Sequence, residues 1–312
     1  MDRAYGSAER PTHKPEPIRG TSMDEFLQHL ANALVLGGTN ALLGIGLTLI
    51  FGIMRIVNFT HGELFAFGAY LIFLSVMRLD VNFFVAFLLA VIGGCLLGAA
   101  IELLLLRPLR AADIETTMLV TIGAWIIMQN SELLVWGGVA KAISTPFPEA
   151  PLVFGPISVS PLRIFVLLVA LLLIGGTYAL IHRTKLGIAM RATFQDSETA
   201  ELMGVNIKGI RTATFAIGSA LAAGAGALLA PVFLVTPTMG DLASLKAFAI
   251  VIFGGLGNIT GATVGGFLLA LIEELGAGYI SSGYRDAMGF LLIIAVLLIK
   301  PTGLFARAER VG

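Results

Sequence analysis

Charged residues are scarce in this sequence of 312 residues. Only 13% are Asp, Glu, Lys or Arg, whereas 57% are hydrophobic, and soluble domains usually carry about 25% charged residues. The 20 basic and 20 acidic side chains cancel to a formal net charge of zero, so no global field favours nucleic acid or an anionic surface. This composition argues against a soluble domain and indicates an integral membrane protein.

The sequence also lacks the usual signatures of catalysis. Cys95 is the single cysteine and stands in an apolar run, so it forms no intrachain disulfide and we expect a buried, inert thiol. The four histidines are scattered without metal-ligand spacing. Neither a nucleophile elbow nor a Gly-x-x-x-x-Gly-Lys-Ser/Thr phosphate loop occurs. We therefore expect no enzyme, no cofactor and no nucleotide site in this chain.

Long windows without charge dominate what is present. A helix needs about 20 apolar residues to cross a hydrocarbon core of about 30 Å. The candidate windows lie near 31–54, 62–79, 82–106, 114–136, 162–182, 212–234, 241–257, 258–276 and 286–300. Glycines separate 241–257 from 258–276, so this pair fits either two short helices or a re-entrant hairpin. The sequence predicts an all-α, polytopic transmembrane helix bundle of about eight spans, give or take one, with broken or re-entrant helices.

Basic residues indicate the sidedness of this bundle. The loop 183–211 holds five Lys or Arg residues, whereas the loop 137–161 holds only Lys141. The positive-inside rule therefore places 183–211 in the cytoplasm, together with the basic C-terminal tail at 307–312. The N-terminus is external if both short windows cross, and cytoplasmic if one of them is re-entrant. Residues 1–22 are polar and hold three prolines, and we expect a disordered or non-native tail there.

One polar stretch, RIVNFTHGE (Arg55–Glu63), interrupts the apolar windows. Thr60 and Glu63 have the spacing of a capping box. In that motif the Thr60 hydroxyl accepts from the backbone N–H of Glu63, and the Glu63 carboxylate accepts from that of Thr60. This predicts a helix from near His61 to about Met77 that begins partway through the bilayer.

These polar side chains have a second possible role beside capping. A helix that begins inside the membrane directs its positive end toward the interior, and ionisable groups there are candidates for a transport path. Asn58, His61 and Glu63 are thus candidate residues of a substrate pathway, while capping alone accounts equally well for Glu63. The pattern Phe-Gly followed by Asn-x-Thr recurs around Asn258. It suggests an internal repeat with two broken helices facing a central path, and it adds Asn258 to the candidates.

A second polar cluster predicts a short surface helix within the loop 183–211. Asp196 or Ser197 suits the N-cap, Glu198 suits the first turn, and Gly204 is placed to end the helix after about two turns. A surface helix between two spans must be held against something. The apolar residues that it offers to a partner groove are Leu202 and Met203.

The segment around RIVNFTHGE resembles the signature of LivH-type permeases of branched-chain amino acid ABC transporters, which usually reads Asn-Phe-Ala-His-Gly-Glu. Thr60 departs from that pattern. Further matches are Gly254-Gly-Leu-Gly-Asn258 and the end Lys300-Pro-Thr-Gly-Leu-Phe305. The resemblance covers roughly residues 25–305, and it implies one permease domain over 23–306.

The predicted surface helix resembles the Glu-Ala-Ala-x-x-x-Gly coupling loop of ABC importer permeases, with Thr199 in place of the first Ala. The resemblance implies that this helix docks into a cleft of an ATPase subunit. The residues that it assigns to docking are Glu198, Ala200, Leu202, Met203 and Gly204. The absence of a phosphate loop from this sequence agrees with ATP hydrolysis on a separate subunit.

The resemblance implies a permease subunit of an ATP-driven importer of branched-chain amino acids in a bacterial plasma membrane. Expected partners are a second related permease, two ATPases that use ATP and Mg²⁺, and an external solute-binding protein, with lipid around the helices. Urea, short amides or other amino acids are rival substrates within the family. A self-contained secondary transporter or channel, with His61 and Glu63 as an ion relay, is a rival of another class.

Overall fold

The computed structural model describes residues 22–109, 113–300 and 303–305. The tails predicted at 1–22 and 307–312 lie outside the described residues, apart from Ser22. Within the described residues the chain folds into eleven α-helices, one two-stranded antiparallel hairpin and two short turns of other helix types. The predicted all-α class is confirmed.

The elements follow one another along the chain with short connections. The N-terminal helices are α1 (Ser22–Met54), α2 (His61–Met77), α3 (Phe83–Ile101), which continues into a π-helical turn (Glu102–Leu106), and α4 (Ile114–Trp136). The hairpin strands are β1 (Leu152–Phe154) and β2 (Ile157–Val159). The helices after the hairpin are α5 (Pro161–Arg183), α6 (Lys185–Gln195), α7 (Ser197–Leu202) and α8 (Ile207–Leu229). The last helices are α9 (Met239–Gly254), α10 (Ile259–Tyr279) and, after a 3-10 turn (Ser282–Tyr284), α11 (Arg285–Ile299).

Seven helices among the described residues are long and apolar enough to cross a membrane, which confirms a polytopic bundle. They are α1, α3 with its π-helical turn, α4, α5, α8, α10 and α11 with its 3-10 turn. The helices α2 and α9 are shorter, with 17 and 16 residues. The arms 241–257 and 258–276 thus form two separate helices, and the first of them is the short one.

Different segments of the chain meet at the two ends of the bundle. At the end that we call the coupling-loop end, Phe194 of α6 packs against Gly257, and Leu304 donates its N–H to the carbonyl of Phe253 at 2.8 Å. At the opposite, hairpin end, Gln28 of α1 exchanges two hydrogen bonds of 2.9 and 2.8 Å with the backbone of Ser158. The loop 183–211 and residues 303–305 therefore share one end of the bundle.

Helix α8 lies at the centre, where glycines of three other helices touch it. Gly98 of α3 lies against Ser219, and Gly68 of α2 lies against the backbone of Ala223. A Cβ atom at Gly46 of α1 would lie 2.6 Å from the carbonyl oxygen of Gly218. Small residues let backbones approach closely in lipid, where packing rather than water drives association. The recurring glycines of the sequence therefore build a tight central bundle.

Candidate substrate pathway and coupling helix

The chain turns back into the bundle after α1. Arg55 has a φ of +54°, which non-glycine residues rarely adopt, and it reverses the chain directly after Met54. Residues 55–60 then run inward without helical structure. His61, the first residue of α2, places Nε2 at 2.9 Å from the carbonyl oxygen of Leu43. Leu43 lies three helical turns before Met54, about 16 Å along the axis, so α2 begins inside the bundle.

The predicted helix from His61 to Met77 is present, but the predicted capping box is wrong. Thr60 is the N-cap by position, yet its side chain forms no capping hydrogen bond. Both of its donors are taken by Asn58, whose Oδ1 accepts from the backbone N–H at 3.2 Å and from the hydroxyl at 2.5 Å. Glu63 does not return to Thr60, and neither of its carboxylate oxygens has a hydrogen-bond partner within the described chain.

Glu63 instead lies against the start of another helix. A Cβ atom at Gly240, in the first turn of α9, would overlap Oε1 of Glu63. The neighbouring Gly62 donates its backbone N–H to the Ser244 hydroxyl at 3.0 Å. The N-termini of α2 and α9 therefore meet deep in the bundle. The first turn of α9 lies beside Glu63, and the positive end of this helix stabilises negative charge there.

Asp241, in the same first turn of α9, is bound by side chains of α4. Gln129 donates from Nε2 to both carboxylate oxygens at 2.8 and 2.9 Å, and Trp125 donates from Nε1 to Oδ1 at 3.1 Å. The Trp125 indole also lies beside Glu63. Its single N–H is directed to Asp241, so neither oxygen of Glu63 has a donor at hydrogen-bond geometry among the described residues, although the indole is close to both carboxylates.

A third carboxylate, Glu132, follows Gln129 by three residues on α4. Its side chain is buried, at 7% exposure, and neither carboxylate oxygen has a partner among residues 22–109, 113–300 and 303–305. The hydroxyl of Tyr70, a buried residue of α2, is also without a partner there. Glu132 lies within electrostatic reach of both Glu63 and Tyr70.

The contribution of α4 to these polar contacts was not predicted from the sequence. Polar residues recur through its apolar window at the spacing of one helical face, and they are Thr121, Trp125, Gln129 and Glu132. Thr121 continues the same face toward the inward-running segment, since its hydroxyl donates to the carbonyl of Val57 at 3.3 Å. This periodicity was the available signal for a polar lining.

A cavity of about 380 Å³ opens at the hairpin-end side of Asp241. Its lining residues are Gln129, Asn130, Leu133, Gly138, Thr236, Pro237 and Thr238. The volume lies within the range of about 300–1,000 Å³ that is usual for small-molecule pockets. Since Gln129 both lines the cavity and binds Asp241, the cavity adjoins the junction of α2 and α9.

The other predicted pathway residues occupy two different places. His61 and Asn58 are fully buried, and the His61 ring packs against Gly46 of α1. Asn258 is the N-cap of α10, with Oδ1 accepting from the Gly261 N–H at 3.0 Å and Nδ2 donating to the carbonyl of Phe305 at 2.8 Å. Asn258 therefore lies at the coupling-loop end, and the structure does not bring it to the junction as the repeat pattern suggested.

The predicted surface helix is α7. Its N-cap is Asp196, whose Oδ1 accepts from the backbone N–H groups of Glu198 and Thr199 at 3.0 and 3.1 Å. The Thr199 hydroxyl adds a bond of 2.6 Å. These donors, the hydroxyl first, hold the pKa of Asp196 below its usual value, and the nearby positive charge of Arg55 acts in the same direction.

The end of α7 also follows the prediction. Gly204 has a φ of +86°, which suits glycine, and Val205 donates its N–H to the carbonyl of Ala200 at 3.0 Å. Ala200 is buried and holds the helix to the bundle, whereas Leu202 and Met203 are 87% and 81% exposed. The helix thus presents an apolar tip.

A multi-pass helical bundle in which two helices begin at membrane depth, with a short capped helix at one end, defines a membrane transport permease by its architecture. The family described as "Branched-chain amino acid transport system / permease component" matches residues 29–297. The chain therefore belongs to this family, which consists of transport permeases and not of enzymes.

Three relatives illustrate the match. The permease BraD of Pseudomonas aeruginosa is 37% identical, over 91% of this chain and 97% of the relative. The permease LivH of Escherichia coli is 34% identical, over 91% and 96%. A probable LivH permease of Methanocaldococcus jannaschii is 29% identical, over 88% and 91%. No solved structure matches this chain.

Proposed function

We propose that this chain is the transmembrane permease subunit of an ATP-driven importer of branched-chain amino acids. The observation that carries the proposal is the junction of α2 and α9 beside Glu63. Irregular backbone at membrane depth is tolerated where protein buries it or where it lines a polar cavity. The substrate class is supported by the relatives of P. aeruginosa and E. coli, whose names describe high-affinity branched-chain amino acid transport.

The coupling-loop end is the cytoplasmic side in this proposal, and the hairpin end is the external side of a bacterial plasma membrane. The excess of basic residues in the loop 183–211 over the loop 137–161 supports this orientation. The cavity beside Thr238 then opens toward an external solute-binding protein. Ser22, the first described residue, belongs to the external side because α1 begins at the hairpin end.

ATP hydrolysis takes place on partner subunits in this proposal. The apolar tip of Leu202 and Met203 docks into an ATPase, while Glu198, Ala200 and Gly204 shape and hold the helix that carries it. A second related permease completes the membrane unit, and two ATPases bind ATP and Mg²⁺. The positive charge of Arg55 lies near Asp196, and Arg55 begins the segment that leads inward to Asn58 and His61.

Uptake into proteoliposomes tests this proposal. The complete transporter is purified with its co-purifying subunits and its solute-binding protein, and accumulation of radiolabelled leucine is followed with and without ATP. We expect uptake only with ATP, with competition by isoleucine and valine. The rival substrates are tested in the same vesicles with an excess of urea or acetamide. Competition by either compound would show that the substrate belongs to another class.

The matched control contains this chain alone under an imposed proton gradient. We expect no leucine accumulation there. Accumulation without ATPase subunits would overturn the proposal in favour of a secondary transporter in which His61 and Glu63 form an ion relay.

A further inference from the structure

Two buried carboxylates near the junction have no counter-charge among the described residues. Glu63 is fully buried and Glu132 is 7% exposed, and no oxygen of either has a partner in the described parts of the chain. An unpaired charge in an apolar interior is costly. Unpaired buried carboxylates therefore indicate a site at which a bound ligand supplies the missing partner.

Two other buried carboxylates of the same bundle have counter-charges, in contrast to Glu63 and Glu132. Glu273 lies 2.9 Å from Nζ of Lys246, and Glu274 lies 2.8 Å from the guanidinium of Arg285. By contrast, the ion pairs found among the described residues include neither Glu63 nor Glu132. The chain thus has counter-charges for helix packing but leaves this site open.

The described neighbours of Glu132 do not supply a positive charge. Gln129 and Trp125, the donors on the same face of α4, are occupied by Asp241. The Tyr70 ring is held by stacking on Trp136, with centroids 5.6 Å apart and planes 9° apart, and its hydroxyl has no partner within the described chain. The site therefore offers two carboxylates and one fixed hydroxyl to an incoming donor.

We propose that Glu132, together with Glu63 and the Tyr70 hydroxyl, binds the ammonium group of the transported amino acid. An ammonium carries one positive charge and three N–H donors, which matches two carboxylates and a hydroxyl oxygen. The adjoining cavity supplies the approach, because its lining includes Gln129 and Leu133, which lie three residues before and one residue after Glu132 on α4. This inference rests on the proposed function, since it names the substrate group that the pathway recognises.

An organic cation fits this site better than a metal ion. No group of three or more His, Cys, Asp or Glu residues among the described positions is arranged to hold a metal. Asp241, which would be the third carboxylate, has both oxygens bound by Gln129. Glu63 and Glu132 then remain as a pair of acceptors for a donor that brings its own hydrogens.

Direct binding to the purified complete transporter, without the solute-binding protein, tests the inference. Radiolabelled leucine is the probe, and the competitors are 3-methylbutan-1-amine, which keeps the ammonium, and 4-methylpentanoate, which lacks it. We expect competition by the amine and none by the acid. For Glu132→Gln we expect leucine binding to weaken by about tenfold or more, the scale of one charge-assisted hydrogen bond.

Two further variants control for folding. Glu115→Gln removes a carboxylate from an exposed position of the same helix, and we expect wild-type binding. Glu132→Asp keeps the charge, and we expect binding between that of wild type and Glu132→Gln. Co-purification of the other subunits reports assembly of each variant, and equal binding by assembled Glu132→Gln and Glu132→Asp overturns the inference.

The outcomes separate this inference from the proposed function. If ATP-driven leucine uptake proceeds but the amine does not compete, or Glu132→Gln binds leucine as wild type does, the ammonium site is wrong and the importer stands. If binding depends on Na⁺ and ignores the amine, the site holds a metal ion and the inference is overturned. If the wild-type transporter takes up no leucine with ATP, the proposed function itself fails.

Discussion

The backbone N–H of Gly62 donates to the hydroxyl of Ser244 at 3.0 Å, across 182 positions of the chain. This bond joins the first turn of α2 to the second turn of α9. Helices that begin inside a bilayer must satisfy their first N–H groups within the protein, because lipid offers no acceptors. The two short helices thus stabilise one another at the point where the pathway is proposed.

Removing this acceptor should weaken the junction. In Ser244→Ala the N–H of Gly62 is left without its partner, and we expect a loss of about 1–3 kcal/mol of stability, read as a lower thermal unfolding temperature of the detergent-solubilised complex. Ser131→Ala is the matched control, because the Ser131 hydroxyl is exposed and bonds only to its own helix. Equal unfolding temperatures for the two variants would contradict a structural role for the bond.

An added methyl group at the junction should also destabilise the protein. In Gly62→Ala the new Cβ would overlap the carbonyl of Gly240 and the Ser244 hydroxyl, so we expect a destabilisation of about 1–3 kcal/mol, as for an overpacked core. The control is Gly123→Ala in α4, where nothing lies within 4 Å of the added atom. Thermal unfolding of both variants checks the difference, and a Gly62→Ala protein as stable as Gly123→Ala would show that the helices are not in close contact.

The ion pairs at the hairpin end should be structural. Lys246 of α9 lies 2.9 Å from both Glu273 of α10 and Asp286 of α11. Lys246→Met leaves Glu273 buried without its counter-charge, and we expect a loss of about 3–5 kcal/mol. The exposed Lys208→Met is the control, for which we expect a change within about 0.5 kcal/mol. Similar unfolding temperatures for the two variants would argue against this role.

The coupling helix should respond to its cap and to pH. The hydrogen bonds from Thr199 lower the pKa of Asp196 in the folded chain, so the stabilisation is present above the unfolded pKa and is lost as pH falls through the folded pKa. We expect backbone hydrogen exchange in α7 to accelerate on such acidification, after correction for the intrinsic rate. In Asp196→Asn the uncharged acceptor remains, and the acceleration should disappear. An unchanged pH profile in this variant would contradict the assignment.

The apolar tip should be needed for coupling and not for insertion. For Leu202→Glu combined with Met203→Glu we expect membrane insertion to remain and co-purification of the ATPase to be lost, because charge enters an apolar contact. Glu201→Gln, at an exposed position of the same helix, should retain both properties. Retained ATPase binding by the double variant would remove the tip from the docking surface.

Local features of this fold were predictable because their causes are local. The helix His61–Met77 follows from an apolar window with a polar start, and α7 follows from a cap at Asp196 and a glycine at position 204. The capping box failed for an equally local reason, since Asn58 competes for the Thr60 donors. The spacing of Thr60 and Glu63 alone could not show which acceptor the Thr60 donors would bind.

The contacts that build the site were beyond local prediction. Gln129 binds Asp241 across 112 positions of the chain, and Glu63 turns to the start of α9 instead of its own helix. Such pairings depend on how the helices pack, which apolar periodicity does not specify. The polar face of α4 is the exception, because the helical spacing of its polar residues from Thr121 to Glu132 is visible in the sequence.

Cysteine labelling beside the junction tests most directly whether the amino acid passes there. In a Cys95→Ser background, Thr238→Cys places a thiol in the cavity, and Ile127→Cys places one on an exposed apolar face of α4. A water-soluble, membrane-impermeant thiosulfonate is applied from outside to the complete transporter in liposomes. We predict rapid labelling at position 238 that blocks ATP-driven leucine uptake and is slowed by the loaded binding protein, with slow labelling at position 127. Labelling of position 238 that leaves leucine uptake intact would contradict the proposed pathway.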